Sequence, residues 1–335
     1  MSETSTAPTS TTTRAAVADR FGGPEVVRLA DVPRPRPAPG EVLVRMRAAS
    51  VTVADHRIRA RDVPRGMRLA TIPFLGWRRP RHPVLGVDGA GVVEALGDGV
   101  TDLGVGDEVL VVRDLAMGCH AELVTVRANH AVRKPAALSF VEGAALLFGG
   151  MTALSFLAHV DLREGTRVLV NGASGAVGTA VVQLAAAAGA HVTGVCSGAN
   201  ADLVRGLGAA RVVDYGTTDF AREDERYDVV VECVGNAPYA RVAPVLRRGG
   251  TLLMVVGDLA GMATAAWHSR RLGGLVTFRG AGPGVPERLR RLVALAEQGV
   301  LRPVVDRTFA FDDVVAAHRY VDTGRKRGNV LLVLP

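Results

Sequence analysis

The run Val168-Leu-Val-Asn-Gly-Ala-Ser-Gly-Ala-Val-Gly178, continued by Thr-Ala-Val-Val-Gln-Leu-Ala, restricts the fold more than any other part of the chain. It reads as an apolar strand, a turn punctuated by Gly172, Gly175 and Gly178, and an apolar helix. A dinucleotide-binding βα turn needs this order. The first glycine permits the tight turn, the second lets a pyrophosphate approach the backbone, and the third lets helix and strand pack closely. Free N–H groups at the start of the helix, aided by its dipole, then hold the phosphates. Asn171, Gly172, Ser174, Gly175, Ala176, Val177 and Gly178 are therefore candidate cofactor-binding residues.

With 335 residues the chain has room for two domains, each with its own core. Beyond Ser139, near-continuously apolar strand candidates at 168–170, 192–196, 212–214, 229–231, 252–256 and 276–278 alternate with helical stretches. Strands covered on both faces read this way, and six of them make a doubly wound parallel sheet of the Rossmann kind. Helices are expected near 286–298 and 313–320. The last apolar stretch, 329–334, is expected to return to the first domain. From 14 to about 134 the chain reads instead as short strands with Gly/Pro punctuation, an irregular β-barrel-like domain in an α/β protein. The expected organisation is a disordered tail over 1–13, a barrel-like domain over 14–138 and 302–335, and a nucleotide-binding domain over 139–301. The ligand is expected in the cleft between the two domains. The Ser/Thr-rich start lacks the apolar core of a signal peptide. No apolar run reads as long and continuous enough to span a bilayer. A cytoplasmic protein is expected.

Three cysteines, Cys119, Cys196 and Cys233, are too scattered for a disulfide framework or a zinc cluster. The net charge of +7 raises a nucleic-acid role, and eight arginines crowd the segment from Arg57 to Arg81. No helix-turn-helix, RNA-recognition or zinc-finger pattern accompanies them. They read as a solvated face, a minority of them turned to an anionic substrate or a cofactor phosphate. No nucleic-acid partner is expected.

The second strand of the nucleotide-binding unit ends at Val195-Cys196-Ser197-Gly198-Ala199-Asn200, without the Asp or Glu that bonds the ribose 2′-OH of NAD. Ser197 and Asn200 can donate to a 2′-phosphate and Arg205 can reach it, so NADP(H) is the expected cofactor. Arg205 reads equally as a solvated helix residue. Tyr215 can cover the adenine, touch the phosphate, or simply end a strand.

The segment Pro83-Val-Leu-Gly-Val-Asp-Gly-Ala-Gly-Val-Val-Glu-Ala-Leu-Gly97 resembles the signature of the medium-chain dehydrogenases/reductases. So do Gly118-Cys-His-Ala-Glu-Leu-Val, Gly149-Gly-Met-Thr-Ala-Leu and the glycine turn. Their order and spacing are similar to the quinone oxidoreductase-like branch from about Arg14 to Pro335. The resemblance implies a GroES-like domain, a Rossmann domain, NADPH use and a homodimer formed through the Rossmann edge strand, for which 275–279 is the candidate. Val256 and Gly257 would border the nicotinamide amide, Thr152 its ribose, and Val234, Gly235 and Asn329 complete the cofactor-binding set. Thr152 reads equally as a helix-packing residue. The zinc ligands of the alcohol dehydrogenase branch would fall on Thr52, Val87 and near Phe148, so no metal is expected.

Thr52-Val-Ala-Asp55 stands where that branch carries Asn-x-x-Asp. The resemblance makes Thr52, Asp55 and Thr152 the candidate catalytic residues. Thr52 can donate to a substrate oxygen, and Asp55 orients its loop or caps a turn. His56 is either an acid/base group or a surface histidine. The segment from Arg57 to His82 reads as an apolar lid carrying Phe74 and Trp77, which with His56 and Phe148 would line a pocket for a small hydrophobic or aromatic carbonyl or quinone. The expected activity is NADPH-dependent hydride transfer to a quinone or enone. The alternatives are an enoyl-thioester reductase, or a non-redox cyclase, tailoring enzyme or binding protein on the same fold.

Overall fold

The computed structural model describes residues 11–63, 69 and 71–335. Of the expected tail, residues 1–10 lie outside this range. Thr12 and Thr13 are not tail but the start of the first strand, where Thr12 pairs with Pro33 and Thr13 with Val32.

The first part of the chain holds β1 (Thr12–Ala18), β2 (Val27–Pro33), β3 (Glu41–Val51), α1 (Val53–Ala60), α2 (Ile72–Leu75), β4 (Asp88–Leu96), β5 (Glu108–Val112), β6 (Leu123–Arg127) and β7 (Ala131–Arg133). Then come α3 (Phe140–Leu157), β8 (Arg167–Asn171), α4 (Ala176–Ala187), β9 (His191–Cys196), α5 (Ala201–Gly206), β10 (Arg211–Asp214), β11 (Tyr227–Glu232), α6 (Tyr239–Val242), β12 (Leu246–Met254), α7 (Leu259–Leu272), β13 (Leu275–Thr277) and α8 (Val285–Glu297). The chain closes with β14 (Val305–Ala310), α9 (Val314–Asp322) and β15 (Asn329–Val333).

Strands β8 to β13 form a six-stranded parallel sheet in the order β10-β9-β8-β11-β12-β13. This is the doubly wound order 3-2-1-4-5-6. Their continuous apolarity has a direct cause. Val168, Val170, Val229 and Val231 enter one buried cluster, with α3, α4 and α8. Leu169, Val230 and Leu252 enter another on the opposite face, with Phe220 and Leu272. Alternate side chains of one strand therefore leave water on opposite faces.

The other large sheet has the order β14-β15-β3-β4-β5-β7, with β6 on β3, and its core is Val- and Ala-rich. Strand β15 is antiparallel to β3, so the C-terminal segment joins the sheet that β3 opens, while β1 and β2 pair in a separate two-stranded sheet.

Helix α3 joins the halves, packing on β3, β4 and β15 on one side and on α4 and α8 on the other. A Ser139/Glu142 capping box starts it. Contrary to the sequence expectation, α3 is 18 residues long and apolar enough to cross a membrane by length and composition, but two-thirds of it is buried inside the protein. Its buried residues pack against both halves of the molecule.

Candidate active site

The glycine turn leaves β8 at Asn171, and two of its three glycines, Gly172 and Gly178, are forced. Gly172 has φ +83°, and its N–H and that of Ala173 donate to Val195 O of β9 at 3.1 and 3.0 Å. A Cβ on Gly178 would lie inside contact distance of the Gly172 carbonyl and Ala173. Gly175 is different: a Cβ there would meet only the Gly172 oxygen, at 3.5 Å, so space stands in front of it. Gly175 is the N-cap of α4, and no side chain caps that helix. An open N-terminus behind a glycine is an anion cradle. Helix α3 reaches this turn through Gly149, where a Cβ would collide with the Ala176 carbonyl.

Beside the turn lies the topological switch point between β8 and β11, where Asn171 and Glu232 are register partners at the carboxyl ends. Glu232 is fully buried. Its Oε1 accepts from Asn171 Nδ2 (3.0 Å) and Val234 N (2.7 Å), and its Oε2 from Gly235 N (2.9 Å) and Ala237 N (3.3 Å). Burial pushes this carboxyl above the usual range, against the pull of those N–H donors. Asn171 Nδ2 also donates to Asn236 Oδ1 at 2.8 Å. The network fixes the 233–237 loop against the glycine turn, placing Val234 next to Gly172 and Gly235 against Val256. Val256 and Gly257 come just past β12 rather than ending it. Gly257 accommodates the Phe278 ring edge, which occupies the position of its missing Cβ.

The loop after β9 is tied to the turn by Asn200 Nδ2, which donates to Ser174 Oγ at 3.1 Å. Ser197 is half-buried and Tyr215 is 66% exposed. Arg205 makes an exposed i,i+3 pair with Asp202 at 2.9 Å. An acid absent from β9 does approach this loop from β10: Asp214, the register partner of Cys196, lies beside Gly198. Its Oδ1 accepts Gly216 N at 2.9 Å, so the carboxylate builds its own turn.

On the facing sheet, Thr52 caps α1 and Asp55 completes a capping box. Thr52 Oγ1 donates to Asp55 Oδ2 at 2.7 Å, and Asp55 Oδ1 accepts Gly86 N at 2.9 Å. Both residues are buried. The hydroxyl proton expected to meet a substrate oxygen is thus committed to Asp55, because the Thr-x-x-Asp spacing is that of a helix cap. Asp55 in turn ties α1 to the segment carrying Val87. Next to it, buried Asp88 accepts from Ser50 Oγ, and burial pushes its carboxyl well above the usual range.

His56 is drawn to the rear of α1, where it pairs with Asp322 at 2.7 Å beside the fully buried Arg59. Thr152 Oγ1 donates to the Phe148 carbonyl at 2.7 Å, one turn back. Phe148 packs against the cores of both halves. Phe74 and Trp77 are 61% and 60% exposed, and nothing brings them together with Phe148. Met67 of the expected lid lies outside the described residues.

Of the crowded arginines, Arg59 is buried, and Arg61 and Arg81 donate to the carbonyls of Trp77 and Pro73. Arg78, Arg79 and Arg81 are exposed, and Arg65 and Arg68 lie outside the described residues. Asn329 is buried with Nδ2 on Val304 O at 3.1 Å, which holds the entry to β15.

A zinc site on Thr52, Val87 and Phe148 would have one oxygen donor, already engaged, and two hydrocarbon side chains, a donor set that does not fit the metal. Among the described residues no group of three or more His, Cys, Asp or Glu has metal-binding proximity. The three cysteines are free, and burial pushes the Cys196 thiol up to about 11.

Glu232, Asn236 and Phe278 are the site residues that the sequence reading missed. Glu232 left a signal, an acid ending the apolar run Val229-Val-Val.

Two family models match the chain, described as "Alcohol dehydrogenase GroES-like domain" over residues 38–136 and "Zinc-binding dehydrogenase" over 207–332. The chain is 30% identical to the chloroplastic quinone-oxidoreductase QR1 of Triphysaria versicolor, across 95% of its own length and 98% of the relative's. It is also 30% identical to the mitochondrial NAD(P)H oxidoreductase RTN4IP1 of Bos taurus, across 98% and 90%. The solved quinone oxidoreductase from Coxiella burnetii superposes with a TM-score of 0.84 at 26% identity, over 97% of this chain and 100% of that one.

Proposed function

Because the chain belongs to the medium-chain dehydrogenase/reductase superfamily, on its quinone oxidoreductase branch, we propose that it is an NADPH-dependent reductase that works without zinc and passes hydride to a quinone or an α,β-unsaturated carbonyl. The observation that carries this reading is a contrast between two groups of residues. The dinucleotide turn is complete and open in front of Gly175, while the three zinc positions offer a single engaged hydroxyl. Carbonyl–alcohol exchange needs a Lewis acid or a dedicated proton donor. An activated alkene or quinone accepts hydride with less help, because the charge spreads onto its oxygen.

A bound nicotinamide supplies the hydride. The chain's own residues bind, orient and exclude water: the glycine turn takes the pyrophosphate, and Glu232 with Asn171 holds the loop beside it. Thr52 and Asp55 act as a rigid wall rather than as proton donors, which leaves the proton to solvent.

NADPH is preferred over NADH in this reading because the loop after β9 offers the Ser197 hydroxyl, the Asn200 amide and Arg205. The exposed Arg205–Asp202 pair contributes little to stability and can re-aim. Phe148, packed against the cores of both halves, suits an apolar acceptor. Strand β13 pairs with β12 alone in the described residues, and we assign its free edge to a second copy of the chain.

The test is oxidation of NADPH and NADH against quinones, enones and an enoyl-CoA. NADPH-preferring turnover of a quinone or enone is expected. Turnover of the enoyl-CoA alone would move the assignment to thioester reduction, and tight NADPH binding without turnover would remove the redox reading.

A further inference from the structure

Of the forty lysines and arginines in this chain only two are lysines, Lys134 and Lys326. Where a chain uses arginine almost throughout, a retained lysine marks a place for a compact ammonium rather than a planar fork. Lys134 has an evident partner, Glu108 at 3.0 Å, and also donates to the carbonyls of Pro135 and Leu138.

Lys326 has none of that kind. It is partly buried, its Nζ donates to the Gly328 carbonyl at 2.6 Å, and among the described residues it has no ion pair. The nearby acid, Asp306, is occupied: its Oδ2 accepts Arg327 N and the Tyr320 hydroxyl, each at 2.8 Å.

The position of this ammonium is fixed by the backbone. Gly328 has φ +69°, and a Cβ there would run into Val304. Its N–H donates to Ser174 O at 2.7 Å, and it forms a β-bridge with Gly175, the residue in front of which the glycine turn is open. Lys326 is thereby held on the carbonyl of Gly328, which bridges the C-terminal segment to the turn. An ammonium withdrawn from water beside the positive end of α4 is unfavourable until an anion joins it. Burial pulls Lys326 down to about 8, against the opposing pull of the Asp306 carboxylate.

We propose that Lys326 is an anchor for the cofactor's pyrophosphate, presented to the glycine turn by the strand that closes the opposite sheet. It makes dinucleotide binding a contact of both halves of the molecule. The proposal rests on the dinucleotide reading of the turn and adds a charged contact to it. Lysine meets phosphate as a point charge, so its contribution is independent of the 2′-phosphate that separates NADPH from NADH.

The test is the dissociation constant of NADPH and of NADH, read from nicotinamide fluorescence, for the wild type, Lys326→Ala and Arg325→Ala. Lys326→Ala is expected to weaken both dinucleotides about tenfold or more, and Arg325→Ala to leave both unchanged. Unchanged affinities in Lys326→Ala, with the wild type binding normally, would overturn the Lys326 assignment alone. Weakening of NADPH only would also overturn it, by moving the residue to the 2′-phosphate. A wild type that binds neither dinucleotide would overturn the functional reading as well.

A measurement on the unmodified protein guards against misfolding of the variant. Brief acylation with a lysine-directed reagent, mapped by mass spectrometry, should label Lys326, leave the ion-paired Lys134 unlabelled, and be suppressed at Lys326 by NADPH or by inorganic pyrophosphate. Labelling of Lys326 that neither protects against would contradict the proposal.

Discussion

At the scale of single residues, the site depends on buried polar groups whose partners are fully specified. Glu232 shows what this implies. Each of its four partners is a donor, so a carboxylate is the group that satisfies them. Glu232→Gln keeps the shape but turns an amide N–H₂ toward backbone N–H groups, at a cost of about 1–3 kcal/mol for each donor left unmet. The expected result is a lower melting temperature and NADPH affinity weakened at least about tenfold, measured by thermal unfolding and fluorescence titration. Ser197→Asp puts a carboxylate where the 2′-phosphate is assigned and should shift the preference from NADPH toward NADH. An unchanged ratio of kcat/KM for the two would remove Ser197 from that site. The glycine turn was legible because its spacing between an apolar strand and an apolar helix is stated in the sequence itself. At Thr52 the sequence is ambiguous because Thr-x-x-Asp is both a family pattern and a helix cap, and only the folded geometry shows the hydroxyl donating to Asp55. Asp214 escaped notice because it comes to the Ser197 loop from the neighbouring strand rather than from the strand that carries the loop.

At the scale of elements, the parallel strands were readable because burial on both faces leaves no polar alternation, and all six occur where the apolar runs are. The docking of α9 was not readable. It buries Val314, Ala317 and Val321 together with His318, which has neither ring nitrogen hydrogen-bonded and meets the His120 ring edge-on at 5.6 Å. Burial, with His120, Arg59 and His56 nearby, holds His318 well below the usual histidine value. The folded protein therefore keeps it neutral, while the unfolded chain's histidine takes a proton below about pH 6.5. Stability should fall as pH drops through that value, by up to about 1.4 kcal/mol per pH unit from this group. Asp88 acts in the opposite sense. Its raised folded value gives stability that is full below the unfolded carboxylate range and is lost as pH rises toward the folded value. Denaturant melts between pH 7.5 and 5 for the wild type and His318→Leu separate the two. The variant should lose the acid-side decline, and identical pH dependence would remove His318 as its source.

At the scale of the whole molecule, two sheets share α3, and the C-terminal strand returns to the first sheet after touching the turn of the second. No local pattern in the sequence states this interlock beyond the apolar stretch at 329–334. The assembly is argued at the same scale. If the free edge of β13 pairs with a second copy, Thr277→Pro should leave a monomer by light scattering with the fold intact by circular dichroism, and an unchanged dimer would place the interface elsewhere.

The central claim is hydride delivery to an activated carbon without a metal. It is tested most directly by incubating metal-stripped protein with NADPH deuterated at C4, in each stereochemical form, and an enone. The account predicts product with deuterium on the β-carbon from one of the two forms, at a rate that added zinc does not raise. Product without deuterium, or turnover only after zinc is restored, would contradict it.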